Sequence, residues 1–178
     1  MRTQEFTIIA TGLDPSDEDF ENRLFEAGCG DATVSYQKGV VILEFSRKAQ
    51  TFASALISAC SDVKKSGARV DRIEPDHLVN LSDIAARSGL TRSAVSHYCR
   101  GERAAGFPAP VARVTSESPL WDWVDVARWM HERNQLSQEA VLQARMVREA
   151  NLVAEIRTLP RDQFVKVLKE RMEKLETA

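Results

Sequence analysis

Leu81-Ser-Asp-Ile-Ala-Ala-Arg-Ser-Gly-Leu-Thr-Arg-Ser-Ala-Val-Ser-His-Tyr-Cys-Arg100 reads as two short helices that meet at a glycine. Ser82 is expected to cap the first, with Asp83 in its first turn favouring the positive dipole end. Ile84 supplies the buried face, and Ala85 is small where a second helix crosses closely. Gly89 ends the helix at a sharp turn, where a left-handed backbone is needed and glycine has no Cβ to clash. Leu90 plugs that turn. Thr91 caps the second helix, whose inward stripe is Ala94, Val95 and Tyr98 at spacings of three and four.

The opposite stripe of the second helix carries the chemistry. Arg92, Ser93, Ser96, His97 and Arg100 are cationic or short hydrogen-bonding side chains, with no acid among them. Arginine donates two bonds to a guanine edge or binds phosphate, and serine does either more weakly. The segment Thr91 to Arg100 is therefore expected to enter the major groove of double-stranded DNA, the docking geometry of a helix-turn-helix. Downstream, Pro108 and Pro110 restrict the backbone to extended forms beside the apolar anchor Phe107. Val111 to Val114 are expected to pair with Ser118 to Trp121 across Thr115-Ser-Glu-Ser, a β-ribbon from which Arg113, with Arg103 before it, reaches phosphates. Trp121, Trp123 and Trp129 read as core pegs, because Val124, Ala127 and Met130 share their helical neighbourhood.

Small Ala85, turn Gly89 and apolar Val95 sit five, nine and fifteen places along a unit beginning at Leu81, as in the helix-turn-helix pattern. Gly106-Phe-Pro-Ala-Pro-Val, followed by Leu120-Trp-Asp-Trp and then Val124 to Met130, extends the likeness. Over about residues 78–134 the chain resembles the AlpA or excisionase-like branch of the MerR winged-helix superfamily. That resemblance implies a wing strand, an aromatic strand end and a third helix. Glu117 at the wing tip departs from the pattern and argues against insertion into the minor groove. The function expected is a sequence-specific transcriptional regulator, a repressor. Two alternatives stay open: an antitoxin or other module that docks a protein through the N-terminal domain, and an excisionase-like recombination factor.

Charge is distributed to match. The 178-residue chain has a net charge of −2, which argues against indiscriminate coating of polyanions. Between Ile84 and Val114, however, Arg87, Arg92, Arg100, Arg103 and Arg113 face Glu102 alone. From Met1 to His77 the balance reverses, with nine basic and thirteen acidic residues. A basic patch in an acidic protein suits phosphate contact at one defined surface.

Upstream, the periods alternate. Phe6 to Leu13 reads as a strand, and Ser16 as the cap of a helix carrying Phe20, Leu24, Phe25 and Ala27 that stops at Gly28. Asp31 to Tyr36 and Val40 to Phe45 form a hairpin around Gln37-Lys38-Gly39; Thr51 to Lys65 is a helix; Arg69 to Ile73 is a last strand. That order, βαββαβ, is the ferredoxin-like arrangement, which hosts many unrelated activities. The fold class expected is thus α+β: a ferredoxin-like domain at 1–76, a winged helix-turn-helix at 77–134 and a helical tail at 135–178. The N-terminal domain is expected to take a protein partner or a small-molecule effector, or to form a dimer. Glu74-Pro-Asp-His77 is the expected boundary, with His77 a solvated linker residue. In the tail, Leu136 to Leu159 and the stretch from Asp162 to Leu175 each show one apolar row, interrupted at Pro160. Pairing of two such tails in a homodimer is the expected outlet.

Enzymatic chemistry is not expected. His77, His97 and His131 are not paired at metal-ligand spacing, and no phosphate-binding glycine loop or nucleophile motif occurs. No cofactor or metal is expected. Cys29, Cys60 and Cys99 are odd in number and scattered, so they read as small buried side chains in a reducing compartment. No apolar run approaches the roughly 18 residues of a membrane helix, and the N-terminus lacks a secretory pattern. A cytoplasmic location without membrane attachment is expected.

Overall fold

A computed structural model describes residues 1–156, 159–160 and 162–177. It is a mixed α+β structure made of two compact units. Unit one joins Met1–Pro75 to Glu149–Ala178, and unit two is Asp76–Arg148.

In unit one, β1 (Arg2–Thr11), β2 (Ala32–Gln37), β3 (Val40–Ala49) and β4 (Arg69–Glu74) form an antiparallel sheet in the order β2-β3-β1-β4. Phe6 faces Phe45, and Ile8 lies between Leu43 and Ile73 on neighbouring strands, so one sheet face is apolar. Strand alternation turns Glu5, Glu44, Ser46 and Lys48 to the other side, where they are exposed. Helix α2 (Phe52–Lys65) is capped by Thr51, whose Oγ1 accepts from Ser54 N, and it buries Leu56, Ala59, Cys60 and Val63. The β2–β3 turn is Lys38-Gly39, with φ of 52° and 82°, a tight two-residue reversal.

The first helix differs from its expected start. α1 (Phe20–Leu24) begins four residues beyond Ser16 and runs on into a π-turn, Phe25–Cys29. Ser16 does not cap it. Both Ser16 N and Ser16 Oγ donate to Asp14 Oδ1, at 2.9 and 2.7 Å, closing an Asx-type turn that competes with helix initiation. Beyond the π-turn sits the buried Arg47 of β3, on the apolar side of the sheet. Its guanidinium is fully used: it donates to Asp31, Asp62, Ser58 Oγ and the Gly28 carbonyl. These bonds tie β3, α2 and the π-turn together, because a buried cation is tolerated only when paired and hydrogen-bonded.

The tail is divided between the units. α6 (Gln138–Ala154) begins in unit two, and its last residues belong to unit one with α7 (Phe164–Glu176). Leu168 and Met172, from the expected intermolecular row, are buried, and α7 packs on α2. The tail's apolar rows are therefore covered largely by the chain itself. The helix expected from Leu136 to Leu159 begins at Gln138 and ends at Ala154, with Glu155 and Ile156 beyond it, and residues 157 and 158 lie outside the described residues. Asn151 of α6 is buried against β4: its Oδ1 accepts from Ile73 N at 2.7 Å and its Nδ2 donates to Ile73 O at 3.0 Å.

In unit two, α3 (Leu81–Ser88) and α4 (Arg92–Cys99) are followed by a long loop and by α5 (Trp123–His131). β5 (Leu78–Val79) pairs with β6 (Trp121–Asp122). His77 is buried there rather than solvated, and its carbonyl accepts from Trp123 N at 2.7 Å. Val79, Ile84, Val95, Trp121, Val124, Ala127 and Met130 make the core, joined by Val141 and Ala144 of α6. Trp121, Trp123 and Trp129 are all buried. Among the described residues no helix is long and apolar enough to cross a membrane.

Candidate functional site

The surface that the sequence singles out is built on the α3–α4 pair. Asn80, not Ser82, caps α3: its Oδ1 accepts from Ser82 N and Asp83 N, while Asp83 Oδ2 accepts from Asn80 N. Leu81 packs against the core and so belongs inside the helix, which places the cap one residue before it. Gly89 is left-handed at φ 71°, and Leu90 N closes the turn on Ala85 O at 3.1 Å. Thr91 Oγ1 then accepts from Ala94 N at 3.1 Å, so that hydroxyl is committed to capping α4. Val95 is fully buried beneath the helix.

This arrangement fixes which side chains face solvent. Arg92 and Ser93, in the first turn of α4, are exposed, while Ser96 and His97 are half-buried. Arg92, Arg103 and Arg113 are exposed and form no ion pair among the described residues. Arg100 is different. Glu102 places Oε1 3.2 Å from Arg100 Nε and hydrogen-bonds His97 Nδ1 through Oε2. The His97 hydrogen bond, with the Arg100 charge behind it, holds the Glu102 carboxyl below the usual carboxylate range. In the sequence Glu102 stands only as the one negative charge among these arginines. The spacing His97, Arg100, Glu102 at the end of a short helix was the available signal.

The region after α4 is anchored by aromatic rings. Phe107 stands edge-on to Trp129 at 5.0 Å and to Trp121 at 6.5 Å, and Tyr98 meets Trp129 at 5.1 Å. Trp121 Nε1 donates to Pro108 O, Trp129 Nε1 to Ala105 O, and Arg133 lies over the Trp129 ring. The loop is thereby pinned to the core on both sides of Phe107.

The expected β-ribbon is reduced to one bridge, Ala112 to Leu120. Pro110 lacks the N–H that the next ladder pair toward Asp122 requires, and Trp121-Asp122 pairs with Leu78-Val79 instead. On the other side Arg113 takes φ 52° and swings the chain out of register. The tip is a turned loop in which Ser116 N bonds Arg113 O at 2.9 Å. Val111 and Val114, 54% and 61% exposed, flank Arg113 on this loop.

Elsewhere, unit one has a cavity of about 590 Å³, lined in part by Lys64, Arg69, Asp71, Val153, Glu155 and Phe164. The charged groups in its wall already have protein partners: Arg69 with Asp71, Glu155 with Arg72, and Lys64 with the Asp162 carbonyl. Burial pushes the Cys29 thiol up to about 11, that of Cys60 to about 12 and that of Cys99 to about 11, which keeps all three protonated at neutral pH. No group of three or more metal-ligating side chains occurs among the described residues. Comparison with protein-family models, curated proteins and solved structures finds no match to the chain.

Proposed function

We propose that the chain is a sequence-specific double-stranded DNA-binding repressor acting in the cytoplasm. Unit two is read as a winged helix-turn-helix of the AlpA or excisionase-like kind, and unit one as a ferredoxin-like domain. The observation that carries this reading is the first turn of α4. Arg92 and Ser93 stand exposed there, without a competing acid, on a helix held by a buried Val95 and a left-handed Gly89. Major-groove readers offer the N-terminal residues of the second helix to base edges in this way. Arg103 and Arg113 serve as phosphate contacts, and Ser96, His97 and Arg100 extend the same face. In unit one, the strand order β2-β3-β1-β4 with a helix in each crossover supports the ferredoxin-like reading. Excisionase-like and antitoxin roles would use the same DNA surface with a further partner; repression requires nothing beyond the surface.

Selection of binding sites from a random duplex pool tests the reading, followed by mobility shifts at fixed salt. One motif should be enriched. Arg92→Ala should cost about 1–3 kcal/mol on that motif and much less on unrelated duplex. Failure to enrich any motif, or an unchanged preference in the variant, removes α4 as the reading element.

A further inference from the structure

The two edges of the sheet in unit one are treated differently. At β4 the buried Asn151 amide occupies both main-chain groups of Ile73, as a neighbouring strand would. β2, at the opposite edge, has no such cover among the described residues. It is Ala32-Thr-Val-Ser-Tyr-Gln37, a β-prone run with no charge, proline or bulge, the devices that normally keep an edge from pairing. We infer that β2 is a self-association edge, where two copies of the chain pair antiparallel about a two-fold axis through Val34.

The register follows from the ladder. Ser46 N donates to Asp31 O at 3.0 Å, and Asp31 stands opposite Ser46 in the β2–β3 register. Main-chain groups of residues 31, 33, 35 and 37 therefore point at β3, and those of Ala32, Val34 and Tyr36 point outward. Antiparallel partners must both point at each other. Val34 opposite its own copy, with Ala32 opposite Tyr36 on either side, satisfies every outward group of these three residues.

The side chains fit the same register. Tyr36, Val34 and Ala32 stand opposite Val41, Leu43 and Phe45, so they project to the apolar side of the sheet. The helices leave Tyr36 51% exposed. Phe25 of the π-turn is 72% exposed, and its ring lies so close to Gly30 that a Cβ there would be 3.1 Å from Cε2. Exposed aromatics thus occur near opposite ends of one strand. Two-fold pairing sets Tyr36 of each copy against Ala32 of the other, beside that copy's Phe25. The occupant is a second copy because the strand complements itself in main-chain hydrogen bonds and in its exposed aromatic surface together.

Sedimentation velocity of the full chain across micromolar concentrations tests this, without reference to DNA. A species of twice the chain mass is expected. Thr33 and Ser35 are exposed on the other sheet face and become cross-interface neighbours in this register. Thr33→Lys/Ser35→Lys should raise the dimer dissociation constant at least about ten-fold, and Thr33→Lys/Ser35→Glu should restore it, since like charges directly opposite repel and unlike charges attract. Thermal melts of both variants verify the monomer fold. A chain that sediments singly at every concentration overturns the inference, as does a dimer that ignores the double-lysine change; a β2 edge reserved for another protein's strand would give the former.

Discussion

Arg92 and Arg100 are the same residue type on the same face of one helix, yet their settings differ. Arg92 projects from the first turn with no acid in reach, whereas Arg100 and His97 are held by Glu102 just beyond the helix end. On the proposed DNA-binding reading, a phosphate approaching Arg100 competes with that carboxylate. Glu102→Gln keeps the shape and removes the charge, so DNA affinity measured by fluorescence anisotropy should rise roughly two- to ten-fold. Weaker binding would instead assign Glu102 to positioning Arg100. Arg113, a phosphate contact in the proposed reading, sits on the loop after Ala112 in a left-handed conformation, flanked by two exposed valines. Arg113→Ala should weaken all duplexes alike and lower the slope of log affinity against log salt by about one; an unchanged slope rejects the contact.

Elements were legible where short-range rules decide them. Gly89 is the plainest case. A Cβ there would meet nothing within 4 Å, so the requirement for glycine is purely one of backbone conformation. Gly89→Ala should therefore destabilise unit two by about 1–2 kcal/mol, read by urea denaturation, and Gly89→Asn by less. No change on either substitution would mean that α3 does not end in a left-handed turn. Where two local signals competed, periodicity could not choose between them. Ser82 and Asn80 are both good caps, and the choice fell to Asn80 because Leu81 is drawn into the core. Asp14 took the Ser16 hydroxyl that a helix cap would have used, delaying α1 to Phe20. The ribbon expected between Val111–Val114 and Ser118–Trp121 shrank to one bridge, because Pro110 withholds a donor and Arg113 turns the chain.

At the scale of the whole molecule, acid sensitivity should reside in the Arg47 cluster. Hydrogen bonding from Arg47 holds the Asp31 carboxyl below its ordinary range, against the opposing effect of partial burial. A carboxylate with a depressed folded pKa stabilises fully above its unfolded value of about 3.9 and loses that contribution as pH falls through the folded value. Stability should therefore be flat with respect to this group near neutrality and decline below about pH 4. Circular dichroism during acid titration should show a shallower decline in Asp31→Asn, from a lower starting stability. An identical pH profile in the variant would place the acid-labile contact elsewhere.

The chain's own order of residues determined what lies within a few positions along it: strand alternation, the Thr91 cap, the glycine turn and the outward run of Arg92 and Ser93. These depend on backbone preference and spacing, which are written locally. Only the folded structure decided which polar groups meet across long separations. Arg47 finds Asp31 and Asp62, Asn151 reaches back to Ile73, and the Leu168–Met172 row lies in the chain's own interior. Such pairings require two distant segments to be brought together and desolvated at once. No periodicity records that, because its energy arises only when both partners lose water.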